Sequence, residues 1–146
     1  MKQFLLAAVA VILAVWPSAS SAQTDEPFAR IAMTVGNTVI HADLRDTPTT
    51  RDFMALLPLT LPMTRWGDRE YYGKPGKTLS PEGPQQNSFE NGDVAYYVPG
   101  RSFAVFFDNT VNPDISRLIV MGTITSGLEE LAAMGNAIEM RIDLEP

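Results

Sequence analysis

The chain has 146 residues, no cysteine and a formal net charge of −6, from 11 basic and 17 acidic side chains. The lack of cysteine excludes disulfides and a lipid anchor on a cysteine. The acidic balance, without any basic run, argues against nucleic acid or anionic lipid as a partner, because both are held mainly through phosphate.

Lys2 opens the sequence, an unbroken apolar run from Phe4 to Trp16 follows, and then come Pro17 and the small residues SASSA. That is the pattern of an export signal, with Ser20 and Ala22 placing the cut after residue 22. The run is shorter than the roughly 20 apolar residues of a membrane span. The sequence therefore predicts a protein exported to the periplasm or secreted, with no membrane attachment after cleavage. Residues 23–29 read as a loose polar leader, and 30–146 as one domain, large enough for a single core and expected to be monomeric.

RIAMTV alternates Ile31, Met33 and Val35 against smaller residues, which predicts a half-buried strand. Gly36-Asn37 signals a turn, and TVIHADL is the return strand. DTPTTRDFMALLP predicts a short helix: Thr47 caps it, Pro48 suits its first position, and Phe53, Leu56 and Leu57 share one face. LTLPMT alternates again, and Pro62 predicts an edge position because it cannot donate to a ladder.

The segment from Arg65 to Gly92 is rich in glycine and proline and reads as a long irregular loop with a brief strand at Glu70–Tyr72. VAYYV, FAVFF and RLIVMGTI predict three further strands. SGLEELAAM predicts a second helix opened by a Ser126–Glu129 capping box, with Leu128, Leu131 and Met134 inward and Gly135-Asn136 at its end. AIEMRIDLE closes the chain as an alternating strand. About eight short strands with two helices predict a mainly β fold, a closed or nearly closed barrel.

In GDVAYYVPGRSFAVFF, strand alternation puts Val94, Tyr96 and Val98 on one face and Ala95 and Tyr97 on the other. Phe103, Val105 and Phe107 likewise oppose Ala104 and Phe106. One set must fill the barrel, and the other lies outside, where rings need a cover or a partner.

Four stretches in this order, TTRDFMALLPLTL, GDVAYYVP, FAVFF and GTITSGLEEL, resemble the small bacterial cyclophilin-like domain family across Ile31 to Leu144. The resemblance implies an eight-stranded cyclophilin-like β-barrel with two capping helices. It does not imply prolyl isomerase activity. The Phe-His-Arg segment of cyclophilins has no counterpart in REYYGKPGKTLSPEG, Ser102-Phe103 stands where a glutamine usually precedes the paired phenylalanines, and the later tryptophan and histidine of the pocket wall are absent after Phe107.

Other chemistry is sparse. His41 is the single histidine, too little for a relay with serine or for a zinc site, and it is expected exposed on its strand. There is no GxSxG elbow, and GTITSG lacks the Lys-Ser/Thr ending of a phosphate loop, so no cofactor is expected. Asn91 and Asp93 offer oxygens but read as a turn, so no metal is expected either. Asp68 and Glu70 beside Arg65 and Arg69 read as surface pairs.

In cyclophilins the substrate groove runs along the outer wall. The resemblance therefore suggests a groove built from Met63, Arg65, Trp66, Tyr71, Tyr97 and Phe106, binding a peptide or small molecule without catalysis. A divergent isomerase would need Arg65 or Arg69 to replace the missing arginine. A purely structural or interaction domain would need no groove at all.

Overall fold

The computed structural model describes residues 10–17 and 26–146. The proposed cleavage site, most of the signal segment and the start of the leader lie outside the described residues. Residues 10–17 have no regular secondary structure, and Val11, Ile12, Leu13, Val15 and Trp16 are exposed.

The elements are β1 (Ala29–Val35), β2 (Thr38–Leu44), α1 (Pro48–Met54), β3 (Leu59–Trp66), β4 (Glu70–Gly73), β5 (Gln86–Ser88), β6 (Asp93–Tyr97), β7 (Ser102–Phe106), β8 (Asp114–Ser126), α2 (Leu128–Ala132) and β9 (Ala137–Leu144). The strands run antiparallel in the order β2-β1-β9-β3-β4-β7-β6-β8, and β8 pairs back onto β2. The result is the closed eight-stranded barrel with two helices. The short β5 adds to the outside of β8 as a ninth strand. Gln86–Ser88 is polar throughout, so periodicity gives no sign of it.

Closure rests on one glycine. Gly122 pairs with Leu44, and a Cβ there would stand 2.1 Å from the Asp43 carbonyl oxygen. Inside the barrel, every strand of the ring contributes to one core, among its residues Ile31, Ile40, Met63, Tyr96, Phe103 and Met140. The helices add Phe53 and Leu131, and Phe53 stacks on Phe103 with ring centroids 4.8 Å apart.

The helix ends follow local chemistry. The Thr47 hydroxyl accepts from the Thr50 backbone N–H at 3.0 Å, and Pro48 opens α1. α1 ends at Met54, earlier than its apolar spacing predicts, and Leu56 and Leu57 continue in tighter turns bonded to Phe53 and Met54. The expected Ser126–Glu129 capping box does not form. Ser126 is the last residue of β8, and Gly127, with φ of 93°, caps α2 without a side-chain bond.

Pro62 also departs from the edge expectation, since β3 lies between β9 and β4. It is tolerated because β4 pairs only with Thr64–Trp66, so Pro62 has a strand partner only on the β9 side.

Candidate functional site

The outer wall repeats the alternation of the inner one. Val94, Tyr96, Phe103, Val105 and Phe107 belong to the core, whereas Ala95, Ala104 and Phe106 form a second cluster outside the barrel, with Tyr97 packed against it. Half of this cluster is covered by the long loop. Phe89 stacks on Phe106 with centroids 4.2 Å apart. The other half stays open as a cleft of about 540 Å³, within the usual range for a ligand site.

Strand register explains the concavity. Tyr72 lies opposite Ala104, and Ala104 opposite Ala95, so a methyl group forms the floor between larger neighbours. Trp66 and Tyr72 form one wall, ring edge to face at 6.4 Å, and Tyr97 forms another. Gly100 lets that ring lie close: a Cβ there would approach it to 2.8 Å.

The third wall is a strand edge. β8 pairs with β6 as far as Leu118 opposite Tyr97. At Arg117 the backbone turns left-handed, with φ of 52°, and the rest of β8 pairs with β5 alone. Asp114, Ile115 and Ser116 all border the cleft. Successive strand residues point to opposite faces, so three in a row can line it only where it meets the edge.

Charge is concentrated on the floor. Arg69 Nε donates to Glu70 Oε1 at 2.9 Å, Nη2 donates to the same oxygen, and Nη1 reaches the Asp114 carbonyl at 3.3 Å. The guanidinium also lies 4.8 Å from the Trp66 ring centroid. This pair is buried rather than superficial, unlike Arg65–Asp68, whose carboxylate is 90% exposed. Burial pushes the Glu70 carboxyl above its ordinary range, against the pull of Arg69. Glu70 Oε2 has no hydrogen bond among the described residues, and neither Lys74 nor the Asp114 carboxylate has an ion-pair partner there.

The residues suggested by sequence separate into three places. Trp66 and Tyr97 line the cleft, and Phe106 lies beneath Phe89 beside it. Met63 and Tyr71 face the barrel core. Arg65 works on the other side of the wall: its Nη1 donates to Tyr71 Oη at 3.1 Å and to the Ala132 and Met134 carbonyls at 2.8 and 3.1 Å. With the Tyr71 hydroxyl donating to the Gly135 carbonyl at 2.7 Å, it ties the end of α2 to the barrel. Glu70 and Tyr72, expected from the sequence only as part of the loop at the groove's rim, line the cleft, and Lys74, Ala104 and Asp114 join them without any sign in the sequence. The parity of β4 already separates Glu70 and Tyr72 from Tyr71, but the other positions follow only from register.

Elsewhere, His41 Nδ1 meets Glu145 Oε1 at a half-exposed site. Asp93 accepts from the Glu90 backbone and Asn91 from the Asn109 backbone, so both side chains serve turns. No group of three His, Asp or Glu side chains suited to a metal occurs among the described residues.

An antiparallel barrel closed by β2 and β8, carrying a solvent-facing cleft on its outer wall, defines a class of closed β-barrel folds. The chain belongs to the cyclophilin-like family, whose sequence pattern it matches over residues 33–143. In fold it is similar to a hypothetical protein from Archaeoglobus fulgidus, known from a solution structure: TM-score 0.66, 23% identity, covering 79% of this chain and 93% of the other. No curated protein matches it.

Proposed function

We propose that this is a ligand-binding cyclophilin-like domain whose site is the outer cleft between Trp66, Tyr72, Tyr97 and the free edge of β8. The observation that carries this reading is the cleft itself. Aromatic rings that could have been covered by the long loop, as Phe106 is, are left facing solvent, with Trp66 57% exposed. An apolar recess with a few polar groups is the ordinary form of a small-ligand or peptide site. Catalysis is not part of the reading. Arg65 is committed to α2, and each nitrogen of Arg69 already donates within the protein.

Export belongs to the same proposal. It is supported by the basic, apolar and small-residue order of the first 22 residues, and by apolar residues 11–16 that do not pack on the barrel. No helix among the described residues is long and apolar enough to cross a membrane.

The test is an NMR titration of the ¹⁵N-labelled protein with a panel of small organic molecules and Xaa-Pro peptides. Shifts confined to Trp66, Tyr72 and Tyr97 are expected, and Trp66→Ala abolishes them. A panel that moves nothing, or moves only other surfaces, overturns the reading. Exchange cross-peaks between the cis and trans peptide forms, whose uncatalysed interconversion takes tens to hundreds of seconds, would instead make the protein an isomerase.

A further inference from the structure

The cleft is electrically lopsided along its length. At one end Arg69 pairs with Glu70 and donates to the backbone carbonyl of Asp114, so two acidic residues of the lining meet a single guanidinium. At the other end stands Lys74, just beyond β4, beside Gly100 and Ser102. Glu70 and Lys74 are four residues apart on one extended chain, about 13 Å at the rise of a strand. Between them are the Ala104 floor, the Tyr72 and Tyr97 walls, and the edge at Asp114–Ser116, which lacks a strand partner on the cleft side among the described residues.

We propose that the cleft holds a short free peptide, extended along the edge of β8, with its ammonium group at Asp114 and its carboxylate at Lys74. The inference rests on the ligand-binding reading of the same cleft and names the class of ligand. Charge complementarity selects it. A neutral ligand would leave both end charges unmatched, and an ammonium compound without a carboxylate would leave Lys74 unmatched. An extended tripeptide spans about 10 Å, so side chains reaching inward from both ends can meet its termini. The free edge offers backbone hydrogen bonds in the manner of strand addition, and the aromatic walls take the central side chain. Glu70 Oε2 supplies a second acceptor at the ammonium end. Longer chains are disfavoured because an internal amide carries neither charge.

Calorimetry and NMR with Ala-Leu-Ala, Ala-Phe-Ala and Ala-Pro-Ala, each free, N-acetylated and C-amidated, test the proposal. At least one free tripeptide is expected to bind ten-fold or more tightly than either blocked form. Lys74→Met should bring the free and amidated forms to the same affinity, and Asp114→Asn should narrow the gap between the free and acetylated forms at least three-fold, Glu70 keeping the remainder. Equal binding of free and blocked peptides at Trp66 and Tyr97 overturns the recognition of termini and leaves the cleft reading intact. If no tripeptide binds while small molecules still shift Trp66, the ligand class is wrong. If neither peptides nor small molecules shift the cleft, both readings fall.

Discussion

Arg69 and Glu70 are neighbours in sequence and partners in the wall, and their environment decides what each contributes. Glu70 is pushed above the ordinary 4.5 because burial outweighs the attraction of Arg69. The folded protein therefore binds this proton more tightly than the unfolded chain. The resulting stability is fully present below the unfolded value and is lost as pH rises through the folded one. Glu70→Gln, which keeps the neutral shape, is expected to hold or gain stability at neutral pH and to flatten this part of the pH profile. Arg69→Met leaves the carboxylate alone in its recess and should cost about 3 kcal/mol. Urea midpoints between about pH 4 and 7 check both, and a large loss for Glu70→Gln at neutral pH would mean that the ion pair wins. Trp66→Ala is different in kind. It removes an exposed ring and a cation–π contact worth about 1 kcal/mol, so binding should vanish while the thermal midpoint falls by only a few degrees.

Elements show where local rules hold and where they yield. The Thr47 cap and Pro48 start of α1 are read directly from DTPTT, because the bonds are made within one turn. The same logic fails for α2. SGLEE has the spacing of a capping box, but the β2–β8 ladder runs on through Ser126, so Gly127 takes the cap position and the serine stands one residue too early. β5 is invisible in sequence because its pairing depends on β8 leaving β6 at Arg117. Glycine positions carry similar consequences. Gly122→Ala would force a Cβ into the Asp43 carbonyl and open the β2–β8 seam, with an expected loss of about 3 kcal/mol by chemical denaturation. Arg101, at φ of 49° in the turn between β6 and β7, is strained where glycine is not. Arg101→Gly should gain up to about 1 kcal/mol, read as a higher urea midpoint.

At the scale of the whole molecule, the described residues from Ala29 to Leu144 build one barrel, and the apolar residues 11–16 take no part in its core. Removing residues 1–22 is therefore expected to leave the thermal midpoint unchanged. In a Gram-negative host the full chain should be recovered outside the cytoplasm, shortened by those residues, as mass spectrometry of the fractions would show. Full-length protein retained in the cytoplasm would contradict export.

The closed eight-stranded barrel was expected from the count of short strands and the family resemblance, and it is made by the β2–β8 pairing. The alternation of Ile31-Met33, Val94-Tyr96 and Met140-Ile142 was enough to give strands and their inward faces, because side-chain parity and burial are properties of single strands. The inner and outer sets of rings in GDVAYYVPGRSFAVFF were legible for the same reason. The cleft was not. Trp66 and Tyr97 could be suspected from the aromatic loop and wall, but Arg65 and Tyr71 proved to bind α2, and Ala104, Lys74 and Asp114 gave no sign of a site. A cleft arises where residues from β4, β6, β7 and β8 fall side by side. That depends on register between residues as distant in sequence as Glu70 and Phe106, and on which half of the wall Phe89 happens to cover.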